Sequence, residues 1–471
     1  MIFPKKVYLI GIGGVGMGAL AGLFKASGVE VSGSEKGSIY PPMSILLDEL
    51  GISYSTNFNP ENIRAFSPDL VVVGNVARFD NPEVKFVLEN KIPYLSLPEA
   101  LYGFFIGCKK SLVVVGTHGK TTTSALLAYV LERLGEDPTF FIGGLRSDNL
   151  RNFCFGQGKF IVLEGDEYDS AFFDKRPKFV HYAPFGAILT SVEFDHADIY
   201  ADFSALKETF KHFISLICPK GFLSYAADEK EVIELARFYP GEKISYGEQG
   251  DLKLIKREPL QNPPGQRITF SFHGLEDEFF LPLIGEHNAL NALGVWALLL
   301  KLGFKPEKLK KAFADFPGTK RRQEILLEKP ITIIDDFAHH PTAVEVTIKA
   351  VKETWPGRRL IAVFEPRTNT SRRKIFQKDY ARVLSLADAV YLKVPADLEK
   401  VPAEERLDLK KLAQEISYLG ISVSVSSDYS GLLQVLKEEV RPDDVVLFMS
   451  NASFGNVPEE LVKFCLKNLI S

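Results

Sequence analysis

The chain of 471 residues is 46% hydrophobic and 25% charged, with a formal net charge of −4 and no long run of one charge sign. That balance gives ample material for apolar cores and argues against nucleic acid or an anionic membrane as partner. Its cysteines, Cys108, Cys154, Cys218 and Cys465, are scattered without C-x-x-C spacing, so neither a zinc framework nor a disulfide scaffold is expected and a reducing cytoplasm fits.

At the usual ~100–200 residues per domain the length predicts about two to four domains. The first predicted element is a strand from Lys6 to Ile10, followed by the turn G-I-G-G-V-G-M-G and a helix from about Met17 to Ser27. Gly11, Gly13 and Gly16 satisfy G-x-G-x-x-G, with Gly14 inside the motif, and a second strand from Glu30 to Ser34 ends at the acidic Glu35. This is the pattern of a nucleotide-binding β-α-β unit. Lys5-Lys6 before an apolar stretch imitates an export signal, but the glycines between Gly11 and Gly18 would break its helix. Strands at Leu70 to Val73 and Pro93 to Leu95 continue an α/β series that closes near Cys108.

A second α/β series starts with a strand from Ser111 to Val115 and a helix from Thr121 to Leu134. Between them, "GTHGKT" resembles a phosphate loop, although G-x-x-x-x-G-K-[ST] would require glycine where Val114 stands. The shorter turn still offers what a phosphate needs, namely backbone N–H groups at a helix N-terminus and one cation. Gly116 and Gly119 permit close backbone approach, Lys120 reaches the terminal phosphates, and Thr121 is placed to hold Mg²⁺. Glu164 in "VLEGDE" and His196 in "EFDHADIY" each follow an apolar run, which puts them at strand ends on the same edge as the loop. Together they suit a metal bridging the phosphates, with Mn²⁺ an alternative to Mg²⁺ because of the imidazole. Taken singly, Glu164 fits a salt bridge equally well, and His196 fits the neighbourhood of a helix cap.

Leu252 to Leu281 alternates like an antiparallel hairpin, and Glu286 to Leu302 returns to helix. His287, Asn288 and Asn291 share one face at that helix start, where an amide can meet a purine edge or merely cap the helix. "ADFPGTKRRQE" reads as a linker, from which Arg321 and Arg322 could reach a phosphate across a domain boundary. A third α/β series has strands at Ile331 to Ile334, Leu360 to Phe364, Ala389 to Val394 and Val445 to Met449. Asp336, His339 and His340 follow the first of these. The adjacent imidazoles diverge, so a polar cluster facing the ATP domain is expected rather than a metal site. Arg367, Asn369 and Thr370 follow the second strand and suit recognition of a carboxylate. The expected division is 1–108 for a nucleotide-bearing substrate, 109–317 for ATP and 318–471 for a second reactant.

"GTHGKTTT", "EFDHADIY", "GEHNALN" and "DDFAHHPT" resemble, in order, the ATP-loop, metal, adenine and third-domain motifs of the Mur ligases of peptidoglycan metabolism, over essentially the whole chain. The resemblance implies two Rossmann-like domains flanking a central phosphate-loop ATPase domain. It implies that ATP is held by Gly116, Thr117, His118, Gly119, Lys120, Thr121 and Thr122, with His287, Asn288, Asn291, Arg322 and Asp336. Thr121, Glu164 and His196 would hold the metal, and Lys120, Glu164 and His196 would be catalytic. Gly11, Gly13, Gly14, Gly16 and Glu35 would serve a UDP-sugar, and Arg367, Asn369, Thr370, Ser450 and Asn451 the incoming amine substrate. Two branches of the family use UDP-N-acetylmuramate as carboxylate donor. One adds L-alanine, and the other adds L-alanyl-γ-D-glutamyl-meso-diaminopimelate, a murein tripeptide, in cell-wall recycling. "GSIYPPMS", "VVVGNVARFDNPEV", "FEPRTNTSRR" and "FMSNASFGN" resemble the tripeptide branch, although Ala452-Ser453 replaces an expected glycine pair. Lys211 lies where some Mur ligases carry a carbamylated lysine, with His212 an equal alternative. The implied reaction runs through an acyl phosphate, with the third domain closing over it.

The residues also bear on two other functional classes. A nicotinamide-dependent oxidoreductase follows from the glycine turn and Glu35 alone but leaves Lys120, Thr121, Glu164 and His196 without roles. A non-catalytic nucleotide sensor conflicts with a complete set of phosphate and metal groups. The sequence carries no signal of oligomeric state.

Overall fold

The computed structural model describes residues 3–107, 109–193, 200 and 202–469. His196, Cys108 and the rest of "FDHADI" lie outside the described residues. Three sheets follow one another along the chain. The first comprises β1 (Lys6–Ile10), β2 (Glu30–Ser34), β3 (Ser53–Ser55), β4 (Leu70–Val73) and β5 (Tyr94–Ser96), all parallel in the order β3-β2-β1-β4-β5. Strand order reverses at β1, so the glycine turn after Ile10 sits at the crevice where such sheets take ligands. The helix that follows, Val15–Ala26, opens on Gly14 with no side-chain cap.

The second sheet has ten strands: β6 (Lys110–Val115), β7 (Thr139–Phe141), β8 (Phe153–Cys154), β9 (Phe160–Glu164), β10 (Pro184–Leu189), β11 (Phe222–Ala226), β12 (Glu242–Gly247), β13 (Leu252–Gln261), β14 (Pro264–Phe272) and β15 (Leu275–Leu281). Its order is β15-β14-β13-β12-β11-β10-β6-β9-β7-β8. The segment expected to be one hairpin is a three-stranded antiparallel meander, β13 to β15. His273 and Gly274 both adopt positive φ, 51° and 79°, which turns the chain back once more in two residues.

The third sheet comprises β16 (Glu324–Leu327), β17 (Thr332–Asp336), β18 (Leu360–Phe364), β19 (Ala389–Lys393), β20 (Ser422–Ser426) and β21 (Val445–Met449), in the order β16-β17-β21-β18-β19-β20. Only β16 is antiparallel. The central strands β17, β18, β19 and β21 are buried at every position, as expected for unbroken apolar runs covered on both faces.

The segment 314–324 corrects the reading of a linker. Tyr129 Oη donates to Asp315 O at 2.7 Å, Thr319 bridges Arg146 as an isolated antiparallel pair, and Thr319 and Gln323 are buried. It is a packed strap, fixed because its backbone polar groups find partners on the helix Lys120–Arg133 and in the loop between β7 and β8. Lys211 is also corrected. It lies on the helix Phe203–Ser215, paired with Glu208 at 3.4 Å and stacked on the Phe238 ring, and does not line the central cleft. Among the described residues, no helix is long and apolar enough to cross a membrane.

One apolar core runs through the first and second domains, joining Leu20, Phe24 and Phe105 to Phe153 and Phe155. Gly22 is the closest point of this seam, since a Cβ there would stand 2.1 Å from Phe153 Cζ. A buried ring cannot swing aside without disturbing its neighbours. Gly22→Ala is therefore expected to lower the midpoint of thermal unfolding, reflecting an overpacking cost of about 1–3 kcal/mol. An unchanged midpoint by calorimetry would show that the seam is loose.

Candidate active site

The second sheet explains why the phosphate loop is flanked by acidic groups. β6 pairs in parallel with β9 on one side and β10 on the other, with Val114 opposite Glu164 and Val115 opposite Leu189. The loops leaving all three strands thus emerge side by side. The turn between β6 and the helix Lys120–Arg133 requires glycine twice. Gly116 has φ +139° and a Cβ there would lie 2.2 Å from Thr190 Oγ1; Gly119 has φ +82° and its Cβ would lie 2.5 Å from Asn291 Oδ1. Gly119 caps the helix without a side chain, so no cap group occupies its first N–H groups, which is the arrangement an anion can use.

Lys120 is pre-positioned in this turn. Its Nζ donates to Gly116 O at 2.6 Å and Thr117 O at 3.3 Å, and pairs with Glu167 at 3.0 Å. Burial pulls its pKa down, but Glu167, Asp166 and Glu164 outweigh that and hold the amine above its ordinary value. Thr121 Oγ1 donates to Glu164 Oε1 at 2.9 Å, and Arg322 Nη2 donates to the same Thr121 oxygen at 3.1 Å from across the domain boundary. Glu164 Oε2 also accepts from Gly143 N at 2.6 Å. Burial pushes the Glu164 carboxyl up, opposed by Lys120 and Arg322.

The other edge of the loop is sewn to the segment after β10. Thr117 N donates to Ser191 O, His118 N to Ser191 Oγ, and Thr117 Oγ1 exchanges bonds with the Glu193 backbone at 3.0 and 2.9 Å. His118 Nε2 lies 2.9 Å from Glu193 Oε2, a bond that, ahead of the opposing effect of burial, keeps the Glu193 carboxyl below its usual range.

At the third wall, the helix Glu286–Lys301 brings His287, Asn288 and Asn291 to the loop. Both amide hydrogens of Asn288 are committed, to Ile284 O at 2.9 Å and Gln323 Oε1 at 2.8 Å, and Asn291 donates to Asn288 Oδ1 at 3.3 Å. Asn288 therefore braces Gln323 and Asn291 instead of presenting free donors to a purine. His287 contacts Gln323 Nε2 at 3.2 Å, and burial pushes its pKa down to about 4.

In the third sheet, Asp336 at the end of β17 pairs with Met449, and Met449 with Phe364, so the loops after β17, β21 and β18 share one edge. The buried Asp336 accepts from Gln323 N and Ala338 N, each at 2.7 Å, and burial raises its pKa against the pull of Arg322. Arg321 takes different partners from Arg322, donating to Ser450 O at 2.6 Å and Ala452 O at 2.5 Å and holding the turn that carries Asn451. Arg367 lies 3.6 Å from the buried Glu365 and 3.7 Å from Asp397. Asn369 accepts from Arg372 Nη2 at 2.8 Å, and Thr370 O accepts from Arg373 N at 3.0 Å.

These walls enclose a cleft of about 940 Å³ to which all three domains contribute, from Gly16 and Leu97 to Lys120 and Glu164, and on to Arg322 and Asn451. Gly11, Gly13, Gly14 and Glu35 stand behind its rim: Glu35 accepts from Gly13 N at 3.0 Å and Lys36 N at 2.8 Å. Arg367, Asn369, Thr370 and Ser450 also lie outside its lining, although Thr368 lines it. Reading the sequence missed Glu167, Glu193, Gln323 and Arg372. Glu167 had a signal, as the third carboxylate, after Glu164 and Asp166, in one strand-end turn. Gln323 had none.

Models of the Mur ligase family match the chain in three pieces: the catalytic domain over residues 6–106, the middle domain over 114–299 and the glutamate ligase domain over 321–452. The chain is 36% identical over 462 residues to the UDP-N-acetylmuramate–L-alanyl-γ-D-glutamyl-meso-2,6-diaminoheptandioate ligase of Escherichia coli K12, covering 97% of each chain. Among solved structures, a murein peptide ligase from Psychrobacter arcticus 273-4 is similar with a TM-score of 0.72 and 30% identity, over 99% of this chain and 100% of that one. A UDP-N-acetylmuramate–alanine ligase from Thermotoga maritima superposes with a TM-score of 0.82 at 25% identity, over 98% and 99%.

The depressed His287 imidazole links pH to stability. Its folded pKa of about 4 lies below the ordinary 6.5, so the unfolded chain binds the extra proton between these values. Stability from this group is present above pH 6.5 and is lost as pH falls towards 4. His287→Gln is expected to flatten that part of the pH dependence of the unfolding midpoint, and an unaltered slope would remove His287 as its source.

Proposed function

The chain belongs to the Mur ligase family, and on that premise we propose that it joins the lactyl carboxylate of UDP-N-acetylmuramate to the amine of L-alanyl-γ-D-glutamyl-meso-diaminopimelate, with ATP converted to ADP and phosphate. The observation that carries the choice of amine is the 36% identity, over nearly the full length of both chains, to a ligase named for that tripeptide. The second reading is L-alanine as the amine, favoured by the higher TM-score of the alanine ligase structure. In a three-domain chain that score also responds to how the domains are set against one another. Sequence identity therefore weighs more here. An ATP-consuming reaction on a UDP-linked precursor belongs in the cytoplasm.

In the proposed assignment, the division of labour follows residues 1–108, 109–317 and 318–471. A carboxylate oxygen of the sugar attacks the γ-phosphorus of ATP, and the bond to ADP breaks. The amine nitrogen then attacks the acyl carbon, phosphate departs, and the amine gives up a proton. Lys120 and Arg322 face the transferred phosphoryl group and offset the charge that develops on it, as fixed cations whose positions are set before substrate arrives. Gly116 to Thr122 cradle the phosphates. Thr121 Oγ1 and Glu164 Oε1, 2.9 Å apart, form a hard oxygen pair that fits Mg²⁺, with Mn²⁺ also suited. A divalent ion held there neutralises phosphate charge when bound. His196 is assigned to that shell from sequence alone. His287 and Asn291 border the nucleobase, with Asn288 and Asp336 fixing their surroundings through Gln323. The glycine turn at Gly11 to Gly16, braced by Glu35, serves the UDP moiety. Arg367, Asn369, Thr370, Ser450 and Asn451 serve the peptide carboxylates.

ADP release is expected with UDP-N-acetylmuramate plus the tripeptide and little with L-alanine at equal concentration. Should L-alanine be the far better substrate, the chain is the alanine-adding ligase. Lys120→Ala is expected to cut turnover by at least ~10²–10³-fold, as for loss of an electrostatic stabiliser. Near-normal turnover in that variant would sink the phosphate-loop assignment. Arg367→Lys is expected to raise the KM for peptide without changing that for ATP, because lysine lacks the planar fork.

A further inference from the structure

Besides the oxygen pair at Thr121 and Glu164, the cleft brings together a second group of potential metal ligands, from residues far apart in sequence. His118, Glu193 and His340 each offer one ligand atom, and these atoms all lie within 4.8 Å of one another. The His118 and His340 rings are 5.3 Å apart between centroids, and the Glu193 carboxylate reaches both domains, accepting from Thr342 Oγ1 at 2.8 Å. All three residues line the cleft. Glu229 lines the cleft as well.

Two imidazoles and a carboxylate form a donor set unlike that of the phosphate site. Mg²⁺ prefers oxygen ligands and keeps its waters, whereas nitrogen-rich sets favour zinc-class ions. With metal–ligand bonds of about 2.0–2.2 Å, a tetrahedral ion needs its ligands roughly 3.3 Å apart. The His118–Glu193 pair stands at 2.9 Å, and no two of the three ligand atoms are more than 4.8 Å apart, so an ion would have to draw the wider pairs inward. Three protein ligands leave a fourth position open to the cleft.

We propose that His118, Glu193 and His340 form a zinc-class metal site, separate from the magnesium site, that ties the central domain to the C-terminal domain. His118 and Glu193 belong to the second sheet's loops and His340 to the helix start after β17, so an ion here is bound fully only when the two domains are apposed. Occupancy holds the cleft shut. Since the family reaction requires opening to release product, excess Zn²⁺ slows turnover even when Mg²⁺ is saturating.

The test is Co²⁺ titration followed by visible absorption, with Zn²⁺ equilibrium dialysis in parallel, on the full chain in saturating Mg²⁺ without nucleotide. The variants are His340→Asn, which retains an N-cap acceptor, and Glu193→Gln on the facing domain. Wild type is expected to bind one Zn²⁺ that Mg²⁺ does not displace, and to gain thermal stability from it. Either variant should weaken binding by at least about tenfold, a loss seen even for groups that only support a metal's ligands. Equal affinity in wild type and both variants, displacement by Mg²⁺, or no rise in the unfolding midpoint with Zn²⁺ would each overturn the proposal. Because the readout is metal binding, the outcome is independent of which amine the enzyme uses.

Discussion

The cleft depends on one relay of hydrogen bonds that crosses a domain boundary: Arg322 to Thr121 Oγ1, and Thr121 to Glu164. A guanidinium and a carboxylate partly withdrawn from water are tolerated only when their partners are fixed. That constraint explains why the strap 314–324 is packed and not loose. Thr319 is sewn to Arg146, Gln323 is clamped between Asn288 and Asp336, and the Phe337 ring lies under the Arg322 guanidinium at 4.6 Å. Each contact removes a degree of freedom from the arginine before any phosphate arrives.

The same logic governs Lys120. With its Nζ bonded to two loop carbonyls and Glu167, the ammonium is fixed within the turn that the proposed function assigns to the phosphates. Preorganised charge of this kind needs no rearrangement at the moment of reaction, which is where its catalytic value lies. The C-terminal domain is built differently. Its cations are already committed to carboxylates, Arg372 to Asp397 at 2.7 Å and Arg367 to Glu365 and Asp397. In the proposed assignment, a peptide carboxylate would have to displace these internal partners, an exchange of ion pairs and not capture by free charges.

The three-sheet architecture makes this convergence possible. Parallel strands direct their following loops to one edge, and β6 lies between β9 and β10 just as β21 lies between β17 and β18. The acidic and basic groups that follow those strands are therefore neighbours in space while separated by tens or hundreds of residues in sequence. The shared apolar core of the first two domains fixes the glycine turn relative to the phosphate loop.

Local chemistry determined much of what the sequence revealed. An apolar strand, a glycine turn and a helix bearing Lys120 and Thr121 are consecutive in the chain, so the phosphate loop and most strands could be read directly. The same is true of Glu164, which ends a strand beside the loop. The sequence could not determine which partners those groups meet. Asn288 spends its amide on Gln323, Arg321 and Arg322 take partners on different segments from adjacent positions, and Lys211 lies beside Glu208. Nor could it place His340 beside His118 and Glu193, because adjacency in space across two domains leaves no local pattern. Those decisions belong to strand order and domain apposition, since hydrogen bonds and ion pairs depend on distances of a few ångströms that only the packed chain sets.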